Sequence, residues 1–305
     1  MEVELMCMVS VIMTVYNEPI EWVKEAINSL KKQTFKKFKL ILVVDNPNYE
    51  SLSELRKFCD FAPLDIILHI NDNNKGLVRS LNIALEYVDT PFVARMDSDD
   101  IALNFRFEEE MNFLKDNDLD FVASEVIEVN ESGQKIETWH RLNKNLLSND
   151  VKKMEQKQNI FWHPTWLLKK EVVEELGGYR NIKFAEDYDF VVRAIIKGFK
   201  LGMQKKPTVK KRIRQGAISE DNGLLQIVTA NNIAKSFRKK TFLKENELSL
   251  DISKQDIVEF NNFKEAFKKR KSGGLISRIA LILKLLTSRI GRIFLRATLM
   301  QKLRG

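Results

Sequence analysis

The chain has 305 residues, of which 44% are hydrophobic, and a formal net charge of +8. This length can form one large α/β domain with a smaller appendage, or two modest domains. Cys7 and Cys59 are far apart and form no C-x-x-C pair, which argues against a disulfide framework or a cysteine-rich zinc site and favours a reducing cytoplasm. We expect neither export nor a membrane span, because the N-terminus lacks a signal-peptide pattern and no apolar run approaches the ~20 residues that cross a bilayer.

The positive charge is concentrated at the C-terminal end. Residues 264–305 contain twelve Lys or Arg and one Glu, so the first 263 residues sum to about −3. The basic composition therefore gives no reason to expect that the main domain binds nucleic acid, and any anionic partner belongs to the tail.

Short runs of β-branched residues alternate with helical patterns over the first hundred residues. The predicted strands are Val9–Val15, Phe38–Val44, Leu64–Ile70 and Pro91–Met96. Predicted helices begin near Pro19, Ser51 and Leu77, where apolar residues recur at helical spacing. This order predicts an α/β fold with a Rossmann-like, mostly parallel sheet flanked by helices.

Polar residues follow each predicted strand, where ligands bind in sheets of this kind. The four clusters are Thr14–Glu18, Asp45–Asn46, Asn71–Asn74 and Asp97–Asp100. In the last cluster, Asp97 and Asp99 can share one Mg²⁺ or Mn²⁺ ion, whose remaining positions are typically filled by phosphate oxygens and water. A polar strand exit or helix cap is the more common explanation of a lone D-x-D, but the position at the strand end favours the metal.

Glycine-rich phosphate loops are absent from the sequence. No G-x-G-x-x-G follows the first strand, and G-x-x-x-x-G-K-[ST] occurs nowhere, so phosphate would be bound by a metal and by side chains. A Rossmann-like half that lacks these glycine-rich loops and ends its fourth strand in acidic residues points to a site for nucleotide sugars. Lys75 and Arg79, at the start of the third predicted helix, can approach a diphosphate, although a solvated helix face is a comparable explanation.

The sequence resembles the family 2 glycosyltransferases, inverting enzymes of the A-type nucleotide-sugar fold, particularly bacterial members that build surface polysaccharides. Seven blocks in the family's order carry the resemblance over about residues 8–219: Val9–Glu18, Val43–Asp45, Asn74–Leu77, Ala94–Ile101, His163–Thr165, Gly177–Tyr179 and Ala185–Asp189.

The resemblance implies roles for individual residues. Asp99 would be the main metal ligand, with Asp97 near the ribose or the metal, and Asp45 would accept a hydrogen bond from the base. The donor side would comprise Thr14, Tyr16, Glu18, Asp45, Lys75, Arg79, Arg95, Asp97 and Arg214, and the acceptor side would include His163, Gly178 and Tyr179. Without the family, Thr14 is equally a strand residue and Asp45 a turn former, and the glycine pair only reverses the chain after a helix.

A second acidic pair, Glu186–Asp187, opens a predicted helix. Acids in a first helical turn commonly just favour the helix dipole. Transfer with inversion, however, needs a base that takes the proton of the acceptor hydroxyl. The resemblance places that base here, so Asp187 is the predicted base and Glu186 would position the acceptor or the loop.

The chain departs from the family at Arg214, where relatives often carry a histidine that completes the metal site. A cation cannot be a metal ligand. Either the acids and the diphosphate hold the metal alone, or Arg214 itself neutralises the leaving group.

Residues 268–305 form a basic tail in which apolar residues and arginines recur near helical spacing: Leu275, Ile279, Ile282, Leu283, Leu286, Ile290, Ile293 and Phe294, with Arg278, Arg289, Arg292 and Arg296. This pattern predicts an amphipathic helix in an anionic membrane surface. A helix that packs back on the enzyme or mediates dimerisation is the alternative, and nucleic acid is disfavoured because the basic run has neither a recognised nucleic-acid-binding fold nor interleaved aromatics.

We therefore predict a catalytic domain over residues 1–221, with a donor half at about 8–100 and an acceptor half at about 101–221, followed by a helical extension over 222–305. The predicted activity is inverting, metal-dependent transfer of a hexose from a UDP-sugar to a lipid-linked or polysaccharide acceptor, on the inner face of the cell membrane, with oligomerisation left open. The alternative is a non-catalytic nucleotide-sugar-binding or scaffolding module.

Overall fold

The computed structural model describes residues 7–136, 142–214, 223–241, 252–268 and 283–302. The chain divides into two compact units. The first unit comprises Met1–Glu155, Asn159–Asn181 and Glu186–Arg214, and the second comprises Gln156–Gln158, Ile182–Ala185 and Gln215–Gly305. The predicted boundary at residues 221 and 222 lies outside the described residues, and the predicted domain division stays a prediction.

The first unit contains one eight-stranded sheet in the order β3-β2-β1-β4-β7-β6-β8-β5. Its strands are β1 Val9–Val15, β2 Phe38–Val44, β3 Ile66–Ile70, β4 Phe92–Arg95, β5 Ile101–Ala102, β6 Phe121–Val129, β7 Leu167–Lys169 and β8 Leu201–Arg212. The helices of this unit are α1 Ile20–Lys31, α2 Leu52–Asp60, α3 Leu77–Glu86, α4 Arg106–Asp116, α5 Ser148–Glu155, α6 Lys170–Leu176 and α7 Glu186–Lys197.

Strands β3, β2, β1 and β4 pair in parallel throughout, as the strand–helix alternation predicts. All seven residues of β2 are buried, and β1 is nearly as apolar, because parallel strands are covered by helices on both faces. Helix α1 covers one face with Val23, Ile27 and Leu30, which are fully buried at helical spacing. The predicted α/β fold with a Rossmann-like half is confirmed.

The other half of the sheet is mixed. Strand β7 pairs antiparallel with both β4 and β6, so it enters the sheet between the nucleotide-binding half and the later strands. Strand β8 pairs in parallel with β6, with a register shift between Ser124 and Val126. The last residue of that ladder, Arg212, lies opposite Val129. This half brings residues more than a hundred positions apart to the end of β4.

The second unit is helical where it is described, with α8 Gly223–Arg238, α9 Lys254–Lys268 and α10 Arg289–Lys302. Its core is a cluster of six buried residues: Leu224, Phe260, Phe263, Leu285, Ile290 and Phe294. Two apolar residues predicted to face a membrane, Ile290 and Phe294, are thus buried within the unit, whereas Leu283 and Leu286 are more than half exposed. The predicted tail residues Leu275, Arg278, Ile279 and Ile282 lie outside the described residues.

Within the described part of the chain, no helix combines the length and the apolar character needed to cross a membrane.

Candidate active site

The loops that follow β1, β2, β3 and β4 lie side by side, because the backbone hydrogen bonds between neighbouring strands continue one residue past the strand ends. The Asp45 amide donates to the Val15 carbonyl, the Asn71 amide to Val44 and the Met96 amide to Ile12, at 2.7, 2.9 and 3.1 Å. The polar clusters predicted from the strand ends therefore meet at one edge of the sheet.

Asp97, Asp99 and Asp100 form the acidic centre of this edge. One carboxylate oxygen from each lies within 4.8 Å of the other two. The turn is held by Arg212, whose amide donates to Asp100 Oδ1 at 2.8 Å and whose Nε donates to the Asp99 carbonyl at 3.0 Å. Arg212 also pairs with Glu25 of α1 at 2.6 Å, so the aspartate turn is tied to two elements.

Burial and charge give the three aspartates different protonation behaviour. Burial alone would raise the pKa of Asp97, but its ion pair with Arg95 holds that pKa below the usual range. Burial, then repulsion from Asp97, raises the pKa of Asp99. Burial raises the pKa of Asp100 to about 8. Burial and repulsion between the neighbouring carboxylates therefore oppose full ionisation of the cluster.

The aspartates fit a divalent cation. Carboxylate oxygens are the ligands that Mg²⁺ and Mn²⁺ prefer. Asp100 Oδ2 is buried and has no hydrogen-bond partner among the described residues, as expected of an oxygen whose partner is not a protein group. Asp100 is therefore a candidate ligand beside the predicted pair of Asp97 and Asp99.

Two cations at the end of β8 also face the cluster, and only Arg214 was predicted. Arg214 Nε lies 3.1 Å from Asp99 Oδ2, and Arg214 Nη2 donates to Glu18 at 3.1 Å. Burial would lower the pKa of Lys211, but Asp100, Asp97 and Asp99 raise it above the usual value. Lys211 was not predicted, because nothing in the sequence distinguishes it from the neighbouring lysines at positions 205, 206 and 210.

Arg95 connects this cluster with the other side of the site. Its side chain is 4% exposed and pairs with Asp97, while Nε and Nη1 have no hydrogen-bond partner in the described part of the chain. Burial raises the pKa values of Glu186 and Asp187, and the charge of Arg95 partly opposes that rise. Arg106, buried on α4, donates to the Arg95 carbonyl at 2.8 Å and fixes its backbone.

Asp45 is buried and closes the loop between β3 and α3. Its Oδ1 accepts from the Asn71 side chain and the Lys75 amide at 2.7 and 2.8 Å, and its Oδ2 accepts from the Gly76 amide at 2.8 Å. These contacts give Asp45 a structural role, and contact with a base stays a prediction.

The remaining predicted donor residues lie around this edge. Thr14 is half-buried, Tyr16 is 45% exposed, and the Tyr16 amide donates to Glu18 Oε2 at 2.7 Å. Lys75 pairs with Asp72 at 2.9 Å, and Arg79 is exposed on α3. No hydrogen bond or ion pair described here joins Lys75 or Arg79 to the aspartates, so the structure does not bring these two into the cluster.

The acceptor-side residues form an aromatic group next to Arg95. His163 Nε2 and the Tyr179 hydroxyl are 2.8 Å apart, and Tyr179 stacks on Trp166. Burial, then the charge of Arg95, lowers the pKa of His163 well below its usual value, so this imidazole is neutral at pH 7. Asn82 of α3, which sequence reasoning missed, holds the turn by exchanging hydrogen bonds of 2.8 and 2.9 Å with the Tyr179 backbone.

Glu186 and Asp187 begin α7 and are half-buried. Asp187 Oδ2 accepts from the Asn159 side chain at 2.9 Å, and Oδ1 accepts from the Tyr188 amide at 2.7 Å. Burial raises the pKa of Asp187, and burial with repulsion from Asp187 raises that of Glu186 to about 7. A carboxyl pair that releases a proton near neutral pH is suited to general-base catalysis.

Helix α7, which carries this carboxyl pair, is hydrogen-bonded to the glycine turn at Gly177 and Gly178. Arg193 pairs with Asp189 at 2.7 Å and donates to the carbonyls of Leu176 and Gly178, each at 2.8 Å. The turn and the start of α7 therefore have fixed positions relative to each other.

A parallel half-sheet that ends in an aspartate cluster is the arrangement expected from the resemblance to the family 2 glycosyltransferases. Residues 10–177 match the family model described as glycosyl transferase family 2, and the chain belongs to that family.

Similar proteins agree with this assignment. An uncharacterised glycosyltransferase of Methanocaldococcus jannaschii, MJ1057, is 31% identical over 207 residues, which cover 68% of this chain and 71% of that protein. The amylovoran biosynthesis glycosyltransferase AmsE of Erwinia amylovora is 32% identical over 69% of this chain and 77% of its own length. The O-antigen biosynthesis glycosyltransferase WbnJ of Escherichia coli is 31% identical over 64% and 74%.

Two solved structures share the fold. The mannosyltransferase PcManGT of Pyrobaculum calidifontis, in complex with GDP-Man and Mn²⁺, matches with a TM-score of 0.63 and 16% identity over 95% of this chain and 86% of its own. S. aureus TarS 1–349, in complex with UDP-GlcNAc, matches with a TM-score of 0.60 and 18% identity over 97% and 89%. At these identities the likeness concerns the fold alone.

Proposed function

We propose that this chain transfers a hexose from a UDP-sugar, with inversion, to a lipid-linked or polysaccharide acceptor in cell-surface glycan synthesis. One observation carries the proposal: Arg95, at the end of β4, pairs with Asp97 through its side chain and donates its amide to the Trp166 carbonyl at 3.0 Å. Trp166 stacks on Tyr179, which follows the Gly178 carbonyl that accepts from Arg193 of α7. These contacts support a proton acceptor at the start of α7 close to the site for a charged leaving group. AmsE and WbnJ, named for amylovoran and O-antigen biosynthesis, support the class of product.

On the donor side, Asp97 and Asp99, with Asp100, would hold Mn²⁺ or Mg²⁺. When bound, the metal neutralises charge that develops on the departing diphosphate. Arg95 offers two unpartnered donors, Nε and Nη1, to phosphate oxygens. Thr14, Tyr16 and Asp45 border the place where the nucleoside would bind.

On the acceptor side, Asp187 would take the proton of the attacking hydroxyl. The hydroxyl oxygen forms a bond to the anomeric carbon while the bond from that carbon to the diphosphate oxygen breaks, so configuration inverts and the diphosphate leaves with the bonding electrons. Glu186 and the neutral His163–Tyr179 pair would position the acceptor. Binding of the tail to an anionic membrane surface would hold the enzyme beside a lipid-linked acceptor.

A donor screen tests this proposal. The full chain is incubated with Mn²⁺, a panel of UDP- and GDP-sugars and a glycan acceptor extract, and nucleoside diphosphate release is measured. We expect release from a UDP-sugar and a loss of at least about 100-fold in Asp99→Ala, because the diphosphate charge loses its bridge.

The control Asp116→Ala removes an exposed carboxylate at the end of α4 and should retain activity. Undiminished release by Asp99→Ala would overturn the metal assignment. Nucleotide-sugar binding without release for any donor and acceptor would support a scaffolding module instead.

A further inference from the structure

Arg214 occupies the position between the aspartate cluster and the loop after β1. Its Nη2 donates to Glu18 Oε1 at 3.1 Å, and its Nε lies 3.1 Å from Asp99 Oδ2. The same glutamate accepts from the Tyr16 amide through Oε2 at 2.7 Å. A chain of polar contacts therefore runs from Tyr16 through Glu18 and Arg214 to Asp99.

The two contacts of the guanidinium differ in quality. The contact with Glu18 is a hydrogen bond, whereas Nε has no hydrogen-bond partner among the described residues despite its short distance to Asp99. The Arg214 side chain is 26% exposed and lies 5.9 Å from the Trp22 ring centre. The guanidinium is thus anchored at the Glu18 side, with an N–H donor available at the Asp99 side.

A guanidinium beside Asp99 opposes metal binding there, because it repels a divalent cation and competes for the same carboxylate. A diphosphate is a stronger acceptor for a guanidinium than a single carboxylate oxygen, since it offers several charged oxygens in the fork geometry that arginine prefers. A diphosphate bound at the aspartates would therefore draw Nε away from Asp99.

We propose that Arg214 couples nucleotide binding to metal binding. Without nucleotide it neutralises Asp99 and weakens metal binding, and with nucleotide it pairs with the diphosphate and leaves Asp99 to the metal. The inference rests on the proposed donor site. Because coupling between two ligands is reciprocal, the metal must then strengthen nucleotide binding by the same factor that the nucleotide strengthens metal binding.

Calorimetric titration of Mn²⁺, with and without saturating UDP, tests the coupling in the full chain. In Arg214→Met, we expect Mn²⁺ alone to bind about tenfold more tightly than it binds to the wild type. The factor by which UDP strengthens Mn²⁺ binding should be about tenfold smaller than the wild-type factor. Arg214→Lys keeps the positive charge but loses the forked donor geometry of the guanidinium. Its Mn²⁺ affinity and its coupling factor should therefore fall between those of the wild type and of Arg214→Met. The matched control Arg56→Met removes an exposed guanidinium on α2 and should behave as the wild type.

The outcomes separate this inference from the proposed function. Suppose that the wild type binds UDP in the presence of Mn²⁺ but the Mn²⁺ affinity of Arg214→Met is unchanged. This result overturns the coupling and leaves the proposed donor site in place. Wild type that binds no UDP in the presence of Mn²⁺ overturns both. An equal gain of Mn²⁺ affinity in Arg56→Met would show a general charge effect and also overturn the role of Arg214.

Discussion

At the scale of single residues, Asn159 sets the environment of the predicted base. Its Nδ2 donates to Asp187 Oδ2 at 2.9 Å, while its Oδ1 accepts from the Phe161 amide at 3.0 Å. A donor to a carboxylate favours the ionised form and lowers its pKa. Asn159 therefore opposes the rise that burial imposes on the pKa of Asp187.

Asn159→Ala should move the acidic limb of the kcat/KM profile to higher pH. The variant loses a donor that favours ionised Asp187, so the pKa of Asp187 rises and the active, deprotonated base is lost at a higher pH. Asn159→Asp keeps an acceptor for Phe161 but places a like charge beside Asp187, and should move the limb further. The measurement is the pH dependence of nucleoside diphosphate release.

The control for this series is Asn28→Ala, which removes an amide from the middle of α1 and should leave the profile unchanged. If both Asn159 variants keep the wild-type limb, Asp187 is not the group that controls it. The wild-type profile itself should fall off towards acidic pH, because burial raises the pKa of Asp187 above its usual value and the base regains its proton as the pH drops through that pKa.

Asp97 and Asp99 were predicted from a short polar run at a strand end, which carries its own signal, and both lie directly after β4 in the structure. Asp187 was predicted from the resemblance and lies at the start of α7. Asn82, Asn159 and Lys211 have no such signal, because each acts through a partner far away in sequence. Asn82 and Tyr179, for example, are 97 positions apart.

At the scale of elements, the glycine turn between α6 and α7 sets the acceptor side. Gly177 and Gly178 both have left-handed backbones, with φ of 67° and 77°. A Cβ on Gly177 would meet nothing within 4 Å, whereas one on Gly178 would lie 2.6 Å from Asn82 Oδ1. A side chain at either glycine would therefore strain the backbone, but only a side chain at Gly178 would also collide with Asn82.

Gly177→Ala should cost about 1–2 kcal/mol in free energy of unfolding, because an alanine is forced into a left-handed conformation. Gly178→Ala should cost about 2 kcal/mol more, since displacing Asn82 breaks two hydrogen bonds of about 1 kcal/mol each. Urea unfolding measures both values. Equal losses in the two variants would show that the contact with Asn82 does not hold the turn.

The parallel half of the sheet was predictable from the sequence, and the mixed half was not. The bounds of β1 and β2 agree with the predicted ones, and β3 and β4 are shorter by at most two residues, because buried parallel strands are continuous apolar runs. Strand β8 carries lysines at positions 205, 206, 210 and 211 and a proline at 207, so its sequence is not that of a strand. Its place beside β6 depends on pairing that no local pattern encodes.

At the scale of the whole molecule, the described part of the tail contains two kinds of apolar residue. Ile290 and Phe294 belong to the core of the second unit, and Leu283 and Leu286 are 57% and 51% exposed. Periodicity alone could not separate these groups, because both recur at helical spacing. Among the described residues of the tail, the exposed leucines and the nearby arginines are the ones that would face a bilayer.

The double variant Leu283→Asp with Leu286→Asp should lower binding to anionic liposomes about tenfold or more, measured by sedimentation, because two apolar contacts become charged groups. Wild-type binding should weaken at high salt without vanishing, since salt screens the arginines but not the apolar contacts. Val258→Asp, on α9 and 51% exposed, is the matched control and should bind as the wild type. An equal loss in that control, or wild type that ignores anionic liposomes, contradicts the membrane surface.

The central claim is inverting transfer with Asp187 as the base, and the anomeric configuration of the product tests it most directly. The full chain is given the donor sugar and acceptor found in the screen, and the product is analysed by NMR. We predict an anomeric configuration opposite to that of the donor, and a turnover lower by about 10²–10⁴-fold in Asp187→Asn with donor affinity largely retained. A product with the donor's configuration, or normal turnover in Asp187→Asn, would contradict the account.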